Sequence, residues 1–386
     1  MPSYHHLGKI PPKRHTQFRQ ADGTLYAEEV FGTEGFSGDY SILYYTYPPT
    51  QVKKVEPFMQ LQYEEWNEGV QRHHHFKTAK LARGGDAVLG RQVLMFNADV
   101  ALAIAQPTVQ MDYFYRNGGG DEVYFVHEGH GVVETNFGLL PYHEGDYIVI
   151  PRGTTFRFQL ADESADTRLL VIEAHGTVEP PSRYLNKHGQ LLEHAPYCER
   201  DIRRPEELII HTERSEFEVR VKVGNTISRY WYDFHPCNTV GWDGYAYPWI
   251  FNIADFEPIT GRIHQPPPVH QTFQGPNFVV CSFVPRKLDY HPLSIPVPYN
   301  HSNIDSDEVL YYVNGNFGSR RGIERSSITL HPRGIPHGPH PGAVEKSLGI
   351  EYTEELAVMI DTFHPLKLTM VAATCDDAAY PSSWSV

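Results

Sequence analysis

Three side chains in this 386-residue chain have types and spacing that could do chemistry: His301, Glu308 and His337. They stand in His301-Ser-Asn303-Ile-Asp-Ser-Asp307-Glu308 and in Pro332-Arg333-Gly334-Ile-Pro336-His337. Two imidazoles and a carboxylate can fill one face of an octahedral ion and leave the opposite positions for substrate and dioxygen. That arrangement is associated with non-haem Fe(II) oxygenases, although metal choice also depends on availability.

The pattern occurs twice. Upstream the chain reads Tyr115-Arg-Asn117-Gly-Gly-Gly-Asp121-Glu122, then Gly129, then Pro151-Arg152-Gly153-Thr-Thr-Phe156. On overlay, Asn117 falls on Asn303, Asp121-Glu122 on Asp307-Glu308, Gly129 on Gly315, and Pro151-Arg152-Gly153 on Pro332-Arg333-Gly334. Tyr115 and Phe156 stand where the downstream copy has His301 and His337. The scaffold is thus duplicated and the ligands are not, so the first copy is expected to be structural and the second to hold the metal.

These residues must be positioned by strands. Glu122 to Val126, Asp146 to Ile150, Glu308 to Val313 and Ser327 to Leu330 are β-branched or aromatic runs bounded by Gly, Pro and Asn. His301 and Glu308 differ by an odd number of positions, which a regular strand would send to opposite faces. The irregular Ser302-Asn-Ile-Asp-Ser306 segment must therefore break the alternation, and Gly334 must let the chain reverse to present His337. The expected fold is all-β, a bicupin of two jelly-roll barrels with an N-terminal arm. Residues 1–60 would be the arm, 61–185 a degenerate first barrel without a metal site, and 186–386 the metal-binding, catalytic second barrel. Phe217 to Val223 alternates apolar and charged residues and should form a half-exposed strand.

Composition agrees. The length supports two ordinary domains, and 13% aromatic residues with 31 Gly and 30 Pro suit many short strands and turns. A net charge of −14 argues against nucleic-acid or anionic-membrane partners. No apolar signal segment or membrane-length run is present, and Cys198, Cys237, Cys281 and Cys375 are widely separated, so a reducing cytoplasm is the expected location. His73-His74-His75 is expected on a solvated strand or loop, and His264 and His270 are expected to serve the structure or to support the site from behind its ligands.

From about Trp242 to Lys346 the chain resembles a bacterial member of the homogentisate 1,2-dioxygenase family, a branch of the cupin superfamily. The resemblance is carried by Tyr299-Asn-His301-Ser-Asn303, Asp307-Glu308 and Leu330-His331-Pro-Arg-Gly-Ile-Pro336-His337-Gly338-Pro339. It implies Fe(2+) held by His301, Glu308 and His337, with His331 beside the open coordination face as substrate contact and proton handler. Where that family has a histidine that orients or deprotonates the substrate phenol, this chain has Asp243, which could accept a proton there. Phe317 and Arg320 occupy positions near the substrate carboxylate, and Arg320 could grip it bidentately.

The activity so implied is Fe(II)-dependent, extradiol-type ring cleavage of homogentisate to maleylacetoacetate, or of a related dihydroxylated aromatic acid, with O2 as co-substrate. It would belong to tyrosine, phenylalanine or other aromatic catabolism. A homo-oligomer, trimer or hexamer, is implied by the same likeness. Two alternatives remain open at this level: a cupin with Mn, Ni or Zn acting as isomerase or lyase, and a non-catalytic bicupin that binds a small molecule. The latter should lack a metal ligand, and only the first copy does.

Overall fold

The computed structural model describes residues 3–161, 166–315, 317 and 322–385. It is an all-β cupin fold built from three large sheets. The expected runs form strands Asp121–Glu128, Asp146–Ile150, Asp307–Asn314 and Ile328–His331, and Phe217–Val223 is a strand over the residues read from its alternation.

An eight-stranded sheet lies in the middle, with Asp146–Ile150, Asp121–Glu128, Arg168–Ala174 and Val100–Ala105 as consecutive neighbours. Its sequences are near-continuously apolar because both faces are covered. One face, through Tyr124, Val126, Ile148 and Val171, packs with Tyr115, Phe156 and Phe158 of a seven-stranded sheet. The other, through Phe125, Tyr147 and Ile172, packs with Phe273, Val280, Val309 and Ile360 of a six-stranded sheet. Each such fully buried side chain contributes roughly 1.5–3 kcal/mol.

The six-stranded sheet runs Gln271–Gly275, Phe278–Phe283, Leu356–Thr362, Asp307–Asn314, Ile328–His331 and His74–Phe76. In the strand Asp307–Asn314, Val309, Tyr311 and Val313 join the core against the middle sheet. The alternate positions Glu308, Leu310 and Tyr312 line a cavity on the other side. Strand periodicity thus separates the residues that hold the sheet from those that can meet a ligand.

The sheets do not divide at residue 185. Phe217–Val223, Thr226–Tyr232 and Trp249–Asn252 complete the two sheets of the first barrel, and His74–Phe76 forms an edge of the six-stranded sheet. Edge strands need partners for their backbone groups wherever those lie in the chain. The N-terminal strands His5–Gly8, Ala27–Gly32 and Tyr40–Tyr45 form a small sheet with Thr239–Gly244. His73, His74 and His75 are buried rather than solvated, because that segment pairs with Ile328–His331.

The internal repeat is visible bond by bond. Asp121 Oδ1 accepts from the Arg152 backbone N–H, and Asp307 Oδ1 from that of Arg333, each at 3.0 Å. The other carboxylate oxygens accept from Val178 and Leu366 N–H. Gly153 N–H donates to Asn117 O and Gly334 N–H to Asn303 O, both at 2.7 Å. Gly153 and Gly334 have φ of 84° and 75°, so the turn is one that glycine adopts without strain. The repeated Asn, Asp and Pro-Arg-Gly residues are therefore the fasteners of a barrel corner, independent of any metal.

Candidate metal centre

His301 and His337 face each other as an isolated antiparallel bridge. The two residues exchange backbone hydrogen bonds of 2.8 and 2.9 Å, which places their side chains on one face. Glu308 is the second residue of the strand Asp307–Asn314, which follows the irregular 302–306 segment. His301 Nε2 lies 3.4 Å from Glu308 Oε2, and His337 Nε2 lies 3.3 Å from Glu308 Oε1. Donors each about 2.1 Å from one ion stand roughly 3.0–3.4 Å apart when adjacent, so these spacings suit a divalent cation.

The tautomers suit it too. His301 Nδ1 lies 3.3 Å from Tyr299 O, and His337 Nδ1 lies 3.3 Å from Ile335 O. A proton on each Nδ1 leaves the Nε2 lone pairs free to coordinate. His337 Nε2 is buried and makes no hydrogen bond, since its contact with Glu308 lacks hydrogen-bond geometry. Such an orphaned lone pair is expected where an ion belongs. Burial works against the charge of Glu308, yet the imidazoles of His301, His331 and His337 around it hold its carboxyl well below the usual range. The donor set therefore fits a metal.

Behind Glu308 lies a supporting row. His331 pairs with Glu308 across strands and its Nδ1–H donates to Oε1 at 2.8 Å. His331 Nε2 then accepts from Tyr380 Oη at 3.2 Å. His331 is completely buried and is absent from the cavity wall. The structure thus brings His331 to Glu308 as a hydrogen-bond partner; the buried His337 is likewise absent from that wall. On the other flank, Asp361 pairs with Glu308 and lines the cavity. Burial and the charge of Glu308 push the Asp361 carboxyl well above its ordinary range, and its Oδ1 has no hydrogen-bond partner.

The cavity, of about 760 Å³, reaches His301 and Glu308 and is lined by Phe283, Arg286, Leu310, Tyr312, Phe317 and Met359 among others. Phe317 is therefore on the wall, edge-on to Tyr312 at 4.5 Å. Arg320 lies outside the described residues. Asp243 is not brought to the triad: it sits in the strand Thr239–Gly244 beside His6 and Ile42, and accepts from Tyr4 Oη at 2.9 Å. His270, read from the sequence as structural or supporting, is buried and lines the cavity.

The first copy shows what replaces a metal. Arg91 grips Glu122 with both terminal nitrogens at 3.0 and 2.7 Å, and Tyr124 and Asn117 donate to the same carboxylate at 2.7 and 2.9 Å. Burial opposes the charge, but the guanidinium keeps Glu122 ionised, its carboxyl below the usual range. A fixed cation thus occupies the role a divalent ion would have. Nothing in the spacing of the repeat points to Arg91, which comes from a separate segment.

Glu134, His211 and His235 form a second group of potential ligands. The two imidazoles are stacked, with centroids 3.6 Å apart and planes at 14°, and His235 Nδ1 accepts from the Cys237 N–H at 3.1 Å, so the His235 Nε2 that faces Glu134 carries the proton and has no lone pair to coordinate. Glu134 is also held by Arg157 and Gln159, each at 2.7 Å.

The model of the homogentisate 1,2-dioxygenase N-terminal region matches residues 6–253, a segment that ends before His301. A protein of Saccharolobus solfataricus named "Putative dioxygenase" is 42% identical over 384 residues, covering 99% of this chain and 98% of that protein. Homogentisate 1,2-dioxygenase of Rhodopseudomonas palustris is 25% identical over 280 residues, 69% of this chain and 61% of that enzyme. Among solved structures, a cupin 2 conserved barrel domain protein from Leptotrichia buccalis aligns with 76% of this chain and 98% of its own, at 10% identity and a TM-score of 0.35.

Proposed function

Because the chain belongs to the homogentisate 1,2-dioxygenase family, we propose that it is an Fe(II)-dependent ring-cleaving dioxygenase. Its substrate would be homogentisate, giving maleylacetoacetate, or a related dihydroxylated aromatic acid met in aromatic catabolism. The observation that carries this reading is the triad itself: three donors spaced for one ion, one of them a buried orphan, opening onto a cavity that can take an aromatic ring.

Fe(II), held by His301, Glu308 and His337, would supply a centre at which an electron-rich ring and dioxygen meet. The protein's own part is positional. His331 keeps Glu308 turned toward the ion. Leu310, Phe317 and the ring of Tyr312 exclude water from the substrate. Asp361 lines the cavity wall beside Glu308. Arg286 brings a guanidinium to the wall, and Arg320 would anchor the substrate carboxylate. Both atoms of O2 enter the product, so no external reductant is required.

The homo-oligomer and the cytoplasmic location also belong to the proposal; among the described residues no helix is long and apolar enough to cross a membrane. The test is anaerobic reconstitution with Fe(II), then oxygen uptake with homogentisate, gentisate and hydroquinone, with the product's ultraviolet spectrum. Uptake with a dihydroxylated acid supports ring cleavage. Stoichiometric metal without uptake on any ring refutes it.

A further inference from the structure

The cavity extends much further than a single-ring acid needs. Its depth follows from strand register. Glu308 pairs with Asp361, Leu310 with Met359, and Tyr312 with Ala357, while Phe283 pairs with Ala357 on the next strand. From Glu308 to Tyr312 is four positions, roughly 14 Å at about 3.4 Å per residue. A dihydroxylated ring with a short acid side chain, bound at the triad, stops well short of that distance. The volume of about 760 Å³ falls within the range of about 300–1,000 Å³ that suits drug-sized ligands.

The chemistry changes along this depth. At the triad end the wall carries His301, Glu308, Asn303 and Asp361. Beyond them Leu310, Met359, Phe283 and Phe317 present only carbon and sulfur to the cavity. Tyr312 adds its ring, because its hydroxyl is engaged with Thr329 Oγ1 at 3.1 Å. Arg286 closes this end with its charge countered by Glu355 at 3.3 Å and its guanidinium 5.5 Å from the Phe283 ring. The side of the cavity built on these strands is thus apolar with aromatic walls, while other parts of the wall carry polar groups such as His264, Gln265, Lys287, Asp289 and Glu354.

We infer that the substrate is a dihydroxylated ring bearing a further apolar group, a second ring or an alkyl chain, which lies against Leu310, Met359, Tyr312 and Phe317. The inference rests on the proposed function for the placement of the dihydroxylated ring at the metal. The apolar group supplies binding that a single-ring acid cannot, since burial of its surface is favourable wherever it is removed from water.

The test is isothermal titration of the Zn(II)-loaded full chain, which is redox-inert, with hydroquinone, homogentisate and phenylhydroquinone. Phenylhydroquinone is expected to bind at least tenfold more tightly than hydroquinone. Leu310→Trp, which fills the pocket, should abolish that preference. If that variant does not fold, Phe317→Ala carries the same test and should reduce the preference at least threefold. Equal binding of hydroquinone and phenylhydroquinone, or a preference unmoved by these variants, overturns the inference. Oxygen uptake by the Fe(II)-loaded chain separates the two readings. A titration preference without uptake on any ring keeps the pocket and overturns ring cleavage. Uptake on homogentisate without the preference keeps ring cleavage and overturns the pocket.

Discussion

His331→Phe separates an orienting role from a substrate contact. The substitution keeps a planar ring in the stack on His337, whose centroid lies 4.2 Å away with planes at 23°, and removes the N–H that donates to Glu308 Oε1 at 2.8 Å. A hydrogen bond to an ionised group contributes about 1.5–3 kcal/mol net. If that loss is expressed in metal binding, at about 1.4 kcal/mol per tenfold the dissociation constant rises roughly 10- to 100-fold. The same range is typical when the partner of a metal ligand is removed. Competition with a chromophoric chelator under anaerobic conditions reads this directly, with a melting curve to show that the variant is folded. Tyr380→Phe, one bond further from the ion and neutral, should weaken metal binding by no more than about tenfold. A folded His331→Phe protein whose metal affinity is unchanged within twofold, while KM for the aromatic substrate rises, would refute the orienting role and return His331 to the substrate face.

Other outcomes follow from the same geometry. His337→Ala should abolish stoichiometric metal binding, measured by metal analysis after gel filtration, because the remaining imidazole and carboxylate cannot complete the face. Arg91→Leu should destabilise the chain by about 3–5 kcal/mol in denaturant unfolding, since Glu122 is left as a buried uncompensated charge, and adding Glu122→Leu should restore most of that. Neither change should alter metal stoichiometry. Burial, aided by nearby cations, pushes His127 and His270 down to about 3, below the unfolded value of about 6.5. Their stabilising effect is therefore complete above about pH 6.5 and lost as pH falls toward 3, because the unfolded chain takes up protons first. His127→Gln should flatten the pH dependence of stability across that window. Asp243→Asn should leave metal affinity within twofold in the chelator assay, as Asp243 contacts Tyr4 and not the triad.

Much of this was legible from local pattern. The repeat of Asn, Asp-Glu, Gly and Pro-Arg-Gly marks two barrel corners, and the corresponding hydrogen bonds occur in both. His301, Glu308 and His337 could be nominated together because they lie within one such corner, where spacing translates into proximity. His331 and Asp243 show where that translation ends. His331 stands beside Glu308 because the strands Asp307–Asn314 and Ile328–His331 pair in that register, and its contact with Tyr380 is one that the motif does not contain. The buried state of His73–His75 likewise depends on a strand contributed from far along the chain.

By itself, then, the sequence determined the strand-rich class, the repeated corner motif and the presence of Tyr115 and Phe156 where the second copy has histidines, and it nominated His301, Glu308 and His337 as one donor set, all properties of residues close in the chain and bound by period-two geometry. Only the tertiary structure decided that Arg91 supplies the missing cation of the first copy, that strands from both ends of the chain complete each other's sheets, and that an apolar pocket continues beyond the triad. Those features arise from pairing and burial between distant segments, where packing and the cost of an uncompensated charge select partners that sequence spacing does not specify.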